Sequence, residues 1–397
     1  MYRRHSISQA ANWSAGSDSF LCRWQLLGSC TQYTLNEFSC PTLIYVILFL
    51  AMLGLRYSSG AARNINRLVY RWLLGGLFFF SAFRYEVGPD WLGYLNIFNI
   101  QRWQSYLDAS TRSEPGYWIL NELIHEIGWP YPWVNVFSSL VFFAGLHAIA
   151  KRQPDPLGFL VLAFPILIVN MPMSAVRQAM GIGMLCFAFI AFTDKKIAPF
   201  VILILIGGSF HNSILVFLLL APLVGGQYTR NRLILSVLLA IPGVVALAST
   251  RSAEVMQSRY IESNTEAAGA IFRVGVLLST GLFFQLKLKD GWRRFYPEEF
   301  KLVSIGSLMM LAFVPIIFVS TVIVDRFGYY LIPIQLVIFT RMPFLLQEDR
   351  YRKLYCSAPY VGLLLMFTVW TQQSWIFQLR YLPYETWLFG FPSGSRY

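Results

Sequence analysis

The sequence predicts an all-α, polytopic integral membrane bundle of about 10–12 transmembrane segments, some short or re-entrant, with amphipathic helices along one surface. Composition is the first reason. Apolar residues make up 56% of the chain and charged residues 13%, against about a quarter charged in a soluble domain. The second is length, because the apolar segments run ~15–22 residues, which suits a helix crossing rather than a barrel strand. The third is the lack of period-2 alternation, which disfavours a barrel. Backbone groups in lipid must then be satisfied within helices.

Residues 1–40 are polar, rich in Ser and Asn, and lack the apolar core of a signal peptide. They read as a poorly ordered extension with one short interfacial helix near 20–27, or as a segment outside the mature chain. A single polytopic domain is expected over 41–390. Its apolar runs fall at about 41–57, 67–83, 132–150, 157–171, 175–193, 197–210, 212–224, 233–249, 271–288, 302–323, 327–346 and 358–376. The short runs 197–210 and 212–224 meet at Ser209-Phe210-His211-Asn212-Ser213, a polar break that reads either as two thin crossings or as a re-entrant pair.

Charge assigns the two sides. Eighteen Lys and Arg residues occupy alternate short loops, such as Arg56/Arg63/Arg67/Arg71, Lys195/Lys196 and Arg350/Arg352/Lys353, while ten spread over the much longer opposite segments. The first set reads as cytoplasmic, which places both termini outside. The net charge of +12 is therefore topogenic and forms no basic patch, so no nucleic-acid partner is expected. Two outside segments are long. Residues 84–131 are aromatic and amphipathic, as expected of helices at the headgroup level. Residues 250–270 are polar and read as a lid or a plain loop.

Cys22, Cys30, Cys40, Cys186 and Cys356 form no CxxC or Cys/His cluster, so a zinc site is not expected. Cys22, Cys30 and Cys40 could oxidise in part if outside; incidental thiols are the simpler reading. P-loop, GxSxG, HExxH and GxGxxG motifs are absent. With no DxD-type pair on the outside face, neither a metal nor another cofactor is expected.

Arg84, Arg177, Arg273 and Arg326 each end an apolar run on the side read as outside. A boundary arginine is costly unless it snorkels, pairs or binds. Four on one face point to an anion presented at the membrane, such as a lipid-linked phosphate. The planar, multi-donor fork of arginine suits such an anion. Arg273 is the weakest of the four, having no carboxylate near it in sequence. Asp325-Arg326 reads equally as a neutralising pair at a helix end. Asp90 follows the Gly88-Pro89 turn and serves either as a helix cap or as a proton acceptor. His211, at the break between short runs, is either a satisfied structural histidine or a cavity-lining group. Trp91, Tyr94 and Trp118 read as interface anchors or as sugar-stacking rings.

Together, several segments resemble EpsG-like proteins, the Wzy-type polysaccharide polymerases. Arg84-x3-Gly88-x-Asp90-x3-Tyr94 looks like the family's signature after a second membrane helix. Ser113-Glu114-Pro115-Gly116-Tyr117, Ser174-Ala175-Val176-Arg177-Gln178, Ser209-Phe210-His211-Asn212-Ser213 and Asp325-Arg326-Phe327-Gly328-Tyr329-Tyr330 follow in the family's order. The resemblance covers about 41–390. It departs at Pro89, where the family usually has a small hydroxyl residue, and in the N-terminal extension.

The resemblance implies a bacterial inner-membrane enzyme with its site facing the periplasm. It would join polyprenyl-diphosphate-linked oligosaccharide repeats by metal-independent glycosyl transfer. Arg84, Arg177, Gln178 and Arg326, with Arg273, would bind diphosphate. Asp90, His211 or Glu114 would be the general base, and Trp91, Tyr94 and Tyr330 would contact sugar. Chain-length regulator and flippase proteins are the implied protein partners, beside membrane lipid. Three other classes compete: a flippase or transporter of lipid-linked oligosaccharide, an O-antigen ligase and a membrane acyltransferase. A flippase should show pseudo-symmetric halves, and no internal repeat is evident. A ligase usually carries a larger late outside loop, and an acyltransferase would want a His-Asp or paired acidic motif.

Overall fold

Among the described residues helices cover the apolar runs, because each run must satisfy its own backbone in lipid. In the computed structural model the chain is described over residues 40–58, 63–101, 106–226, 229–232, 234–236, 238, 266–318, 321–346 and 350–392. The expected helix near 20–27, Cys22, Cys30, most of run 233–249 and the 250–270 loop up to residue 265 lie outside the described residues.

Two helices open the described chain, α1 (Cys40–Ser58) and α2 (Arg63–Ala82). The aromatic segment 84–131 folds into three short helices: α3 (Trp91–Gln101), α4 (Tyr106–Thr111) and α5 (Pro115–Ile127). Next come α6 (Pro132–Ala150), α7 (Pro156–Ala163), α8 (Val176–Thr193) and α9 (Ile197–Phe210). The later half holds α10 (Glu266–Phe283), α11 (Lys289–Phe295), α12 (Pro297–Leu311), α13 (Phe313–Ile317), α14 (Thr321–Leu345), α15 (Arg352–Gln373) and α16 (Trp375–Arg380). Six stretches among the described residues are long and apolar enough to cross a membrane: Pro132–Ala150, Val176–Thr193, Ile271–Phe295, Pro297–Ile317, Ile323–Leu345 and Arg352–Gln373. Shorter apolar helices cover Ile44–Ser58, Pro156–Ile168, Ile197–Phe210 and Asn212–Leu223.

Sequence chemistry sets the irregularities. Asp155 caps α7, its side chain accepting from the Gly158 N–H. Pro165 has no N–H to give, and the helix widens to π over Phe164–Ile168. Run 212–224 is a 3-10 helix, Asn212–Leu223, joined to α9 through extended backbone at His211. The 302–323 run breaks at Ala312 between α12 and α13.

The core lies where α6, α8 and α9 cross. Gly145 on α6 and Gly183 on α8 face each other's backbone so closely that a Cβ on either would strike a carbonyl. Small residues at a crossing supply the packing that apolar lipid cannot drive. At the end of the bundle where α8 begins, Ser138 of α6 donates to the Val176 carbonyl of α8 at 2.7 Å.

The C-terminal segment returns across this same end as a strap. Strands β1 (Arg84–Tyr85) and β2 (Glu385–Thr386) pair antiparallel, with Arg84 opposite Thr386. The Gly88 N–H donates to the Arg380 carbonyl at 2.7 Å and Tyr384 donates to the Phe80 carbonyl at 2.8 Å. The strap fixes the residues that follow α2, which lead into the site.

Candidate functional site

Glu114 is the hub of the site. It precedes α5 in the left-handed region, at φ 64°. That conformation is costly for a residue with a Cβ, about 1–3 kcal/mol, and persists only where surroundings fix it. The surroundings here are two loops and a helix start. Glu114 Oε1 accepts from the Asn212 backbone N–H at 3.1 Å and lies 2.7 Å from His211 Nδ1. Oε2 accepts from a terminal nitrogen of Arg177 at 2.5 Å. Gly116 allows the approach, since a Cβ there would overlap Ser209 and Phe210. The Asn212 side chain closes the junction by donating to Ser113 Oγ at 2.7 Å. Burial alone would raise the Glu114 carboxyl. The hydrogen bond and charge of His211, the charge of Arg177 and the Asn212 N–H outweigh it and hold the group at about 2.

Arg177 lies in the first turn of α8, where it is held in place between two rings. Its guanidinium carbon sits 5.4 Å from the ring centres of both Tyr94 and Tyr117. Nε reaches the Tyr94 hydroxyl at 3.4 Å. Its other terminal nitrogen has no protein partner among the described residues, and 32% of the side chain remains exposed. Next to it, Gln178 is buried and donates to the Arg326 carbonyl at 3.0 Å, which ties α8 to α14. The Arg326 side chain is exposed at this end. The Tyr330 hydroxyl faces Ser213 and Gln178 without a hydrogen bond of full geometry. His211 Nε2 lies 3.5 Å from Ser213 Oγ.

Asp90 reaches the same end from α3. It sits immediately before the helix, but its carboxylate does not cap it. Oδ2 accepts from Ser174 Oγ at 2.7 Å, three residues before Arg177. Gly88 makes this possible twice over. Its φ is +105°, and a Cβ there would strike the Met173 carbonyl. No other residue type combines that φ with that contact.

The four boundary arginines separate into two kinds. Arg84 is 1% exposed. It donates to the carbonyls of Val87 and Ser81 and to Asn135 Oδ1, all at 3.0 Å. It also lies 5.6 Å from the Trp91 ring. It is a strut inside the fold. Arg273, which has no carboxylate near it in sequence, meets Asp325 with two bonds of 2.7 Å. Asp325 therefore pairs across helices with Arg273 rather than with its neighbour Arg326. Tertiary packing brings α10 beside α14, which spacing along the chain could not show. Arg177 and Arg326 keep exposed surface.

Of the expected sugar-stacking rings Trp91 and Tyr94 are enclosed, at 2% and 8% exposed, as is the expected sugar contact Tyr330 at 1%, whereas Trp118 is half-buried. Trp91 packs edge-on to Tyr131 and Tyr85. Burial makes these rings packing elements, and Tyr94 acts on Arg177 through its ring and hydroxyl. Asn135, which receives Arg84, was not singled out by the sequence. Its only mark there is a polar side chain inside the apolar run 132–150. Among the described residues no group of three or more His, Cys, Asp or Glu side chains is placed to hold a metal ion.

No curated protein and no solved structure matches the chain. The sequence pattern of the EpsG family matches residues 67–386, which include every residue of this site.

Proposed function

The chain belongs to the EpsG family of Wzy-type polysaccharide polymerases, and from that premise we propose the following reaction. The enzyme joins oligosaccharide repeats carried on polyprenyl diphosphate, at the outer face of the membrane in which it is embedded. A hydroxyl of the acceptor sugar attacks the anomeric carbon of the donor. The new glycosidic C–O bond forms as the bond from that carbon to the diphosphate oxygen breaks. The hydroxyl proton passes to a base, and the lipid diphosphate leaves with its charge.

The observation that carries this reading is the shared carboxylate of Glu114, which meets Arg177 on one oxygen and His211 on the other. Each group acquires a distinct task. Glu114 is held ionised with both oxygens engaged, so it is a poor proton acceptor. It orients His211 with Nδ1–H toward Oε1, which leaves the Nε2 lone pair to take the sugar proton, the logic of an orienting carboxylate and a histidine base. Of the three candidate bases, this geometry favours His211. Arg177 stabilises the departing diphosphate from a fixed position between two tyrosines. Arg326 supplies the second exposed cation, and Gln178 holds its backbone to α8. Arg84 and Arg273 are assigned to the frame rather than to the anion.

The test is lengthening of a labelled lipid-linked repeat in proteoliposomes holding the purified chain. The wild type should yield a ladder. Arg177→Ala and His211→Ala, inserted and folded to wild-type levels, should leave single repeats. Transbilayer movement of labelled lipid without lengthening would instead mark a flippase and sink the polymerase reading.

A further inference from the structure

A second charged cleft lies at the other end of the bundle. Tyr45 on α1 donates to the Tyr381 carbonyl of the strap at the site end. Arg56 lies 11 residues further along α1, about 17 Å away at 1.5 Å per residue. Likewise Asp155 begins α7, whereas Ser174 follows its far end. Here a cleft of about 330 Å³ opens between the ends of α1 and α14 and the start of α15.

Three cations line this cleft: Arg56, Arg352 and Lys353. Arg56 meets Asp155 at 2.8 Å and lies 5.0 Å and 4.6 Å from the rings of Tyr57 and Tyr360. Arg352 spends Nε on the Pro343 carbonyl at 3.2 Å. Among the described residues no carboxylate pairs with Arg352 or Lys353. Both sit at the first positions of α15, a helix of 22 residues whose free N–H groups and dipole add positive potential. Asp155 offsets the charge of Arg56, which leaves Arg352 and Lys353 as the cations with no carboxylate partner among the described residues. Ser357 also lines the cleft, its hydroxyl donating to the Lys353 carbonyl at 2.8 Å. Such a cleft is complementary to a phosphate ester.

We propose that this cleft binds a phosphate ester, and that its source is the headgroup of an anionic phospholipid in the adjacent leaflet. The surroundings favour lipid over soluble phosphate. Leu55 on α1 and Leu354, Val361 and Leu365 on α15 are exposed large apolar residues on the two helices that form the cleft. Acyl chains lie along those faces while the phosphate sits among the cations, as in basic pockets between membrane helices. Binding is independent of the polymerase reading.

Native mass spectrometry of the purified full-length chain, offered phosphatidylglycerol or phosphatidylcholine, tests this. One phosphatidylglycerol per chain should be retained at least tenfold over phosphatidylcholine. Arg352→Gln/Lys353→Gln should erase that preference. Ser357→Glu keeps all three cations but adds a carboxylate to the cleft, and should cut retention at least threefold. It serves as the second measurement should the double variant unfold. Equal retention of the two lipids, or an unchanged preference in a folded variant, overturns the site. Displacement of phosphatidylglycerol by millimolar inorganic phosphate overturns the lipid as its source.

Discussion

Arg84 and Arg177 look alike in the sequence, each a lone cation at the end of an apolar run, yet the fold treats them in opposite ways. Around Arg84 all acceptors are neutral and internal, and the strap seals the pocket. Around Arg177 the acceptor is a carboxylate shared with a histidine, and a third of the side chain stays open. A buried arginine with its donors satisfied has nothing to offer a substrate. A half-open arginine beside an ionised carboxylate and a histidine has both charge and a proton path. Burial and partner type, rather than residue type, separate frame from function.

The largest effect expected from breaking this contrast is at Arg177. Arg177→Ala should cut repeat-unit transfer roughly 10²–10³-fold, the range for a lost transition-state donor, and should also lower the melting temperature, because Glu114 loses its cation. Lengthening rates in proteoliposomes check it, and a rate within threefold of wild type would remove Arg177 from the chemistry. Glu114→Gln should follow at roughly 10²-fold, because His211 loses the charge that fixes its tautomer. The same variant carries a stability signature. In the wild type the Glu114 carboxyl sits at about 2 rather than its ordinary 4.5. A lowered folded value means its stabilisation is complete above about 4.5 and is lost as pH falls through about 2. Melting temperature between pH 5 and 2 should therefore fall less steeply in Glu114→Gln; parallel curves would refute the coupling.

Arg84→Ala should act on the other side of the contrast. Loss of its hydrogen bonds to Val87, Ser81 and Asn135 should cost on the order of 3 kcal/mol of stability, read as a lower melting temperature in detergent. If Arg84→Ala melts normally yet loses transfer, Arg84 belongs to the site. Gly88→Ala should cost about 1–3 kcal/mol through φ strain and the Met173 clash, and Gly88→Asn, which tolerates positive φ, should still be destabilised by that clash. The smallest effect belongs to the Arg273–Asp325 pair. Arg273→Gln leaves Asp325 uncompensated, and the double variant Arg273→Gln/Asp325→Asn should recover stability to within ~1 kcal/mol of wild type, because a pair removed together is often near neutral. Transfer by the double variant should stay within threefold; a loss like that of Arg177→Ala would make Arg273 an anion ligand.

Much of the site was legible as separate pieces. Ser113–Tyr117, Ser174–Gln178, Ser209–Ser213 and Asp325–Tyr330 were marked by their resemblance to family motifs, the third also by its polar break in apolar sequence, and the structure gathers them at one end. The assignment of roles inside them was not legible. Glu114 and Arg177 are 63 residues apart and Arg273 and Asp325 are 52 apart, so no local spacing announces either pair. Asp90 looked like a helix cap because the chain turns before it, and Ser174 takes its carboxylate from another segment. Trp91, Tyr94 and Tyr330 looked available to sugar because aromatic residues near an interface read alike whether they face outward or inward.

By itself the sequence determined that this chain is a helical membrane protein, where its helices run and which short polar segments interrupt them. Those properties follow from apolar length and backbone satisfaction in lipid, both of which are local. Only the tertiary structure decided which carboxylate meets which arginine, that His211 shares Glu114 with Arg177, and that Arg84 is sealed while Arg177 is open. Those facts depend on helices distant in sequence meeting at Gly145, Gly183 and Gly116. Charge pairing inside a low-dielectric bundle is set by that packing and by no pattern along the chain.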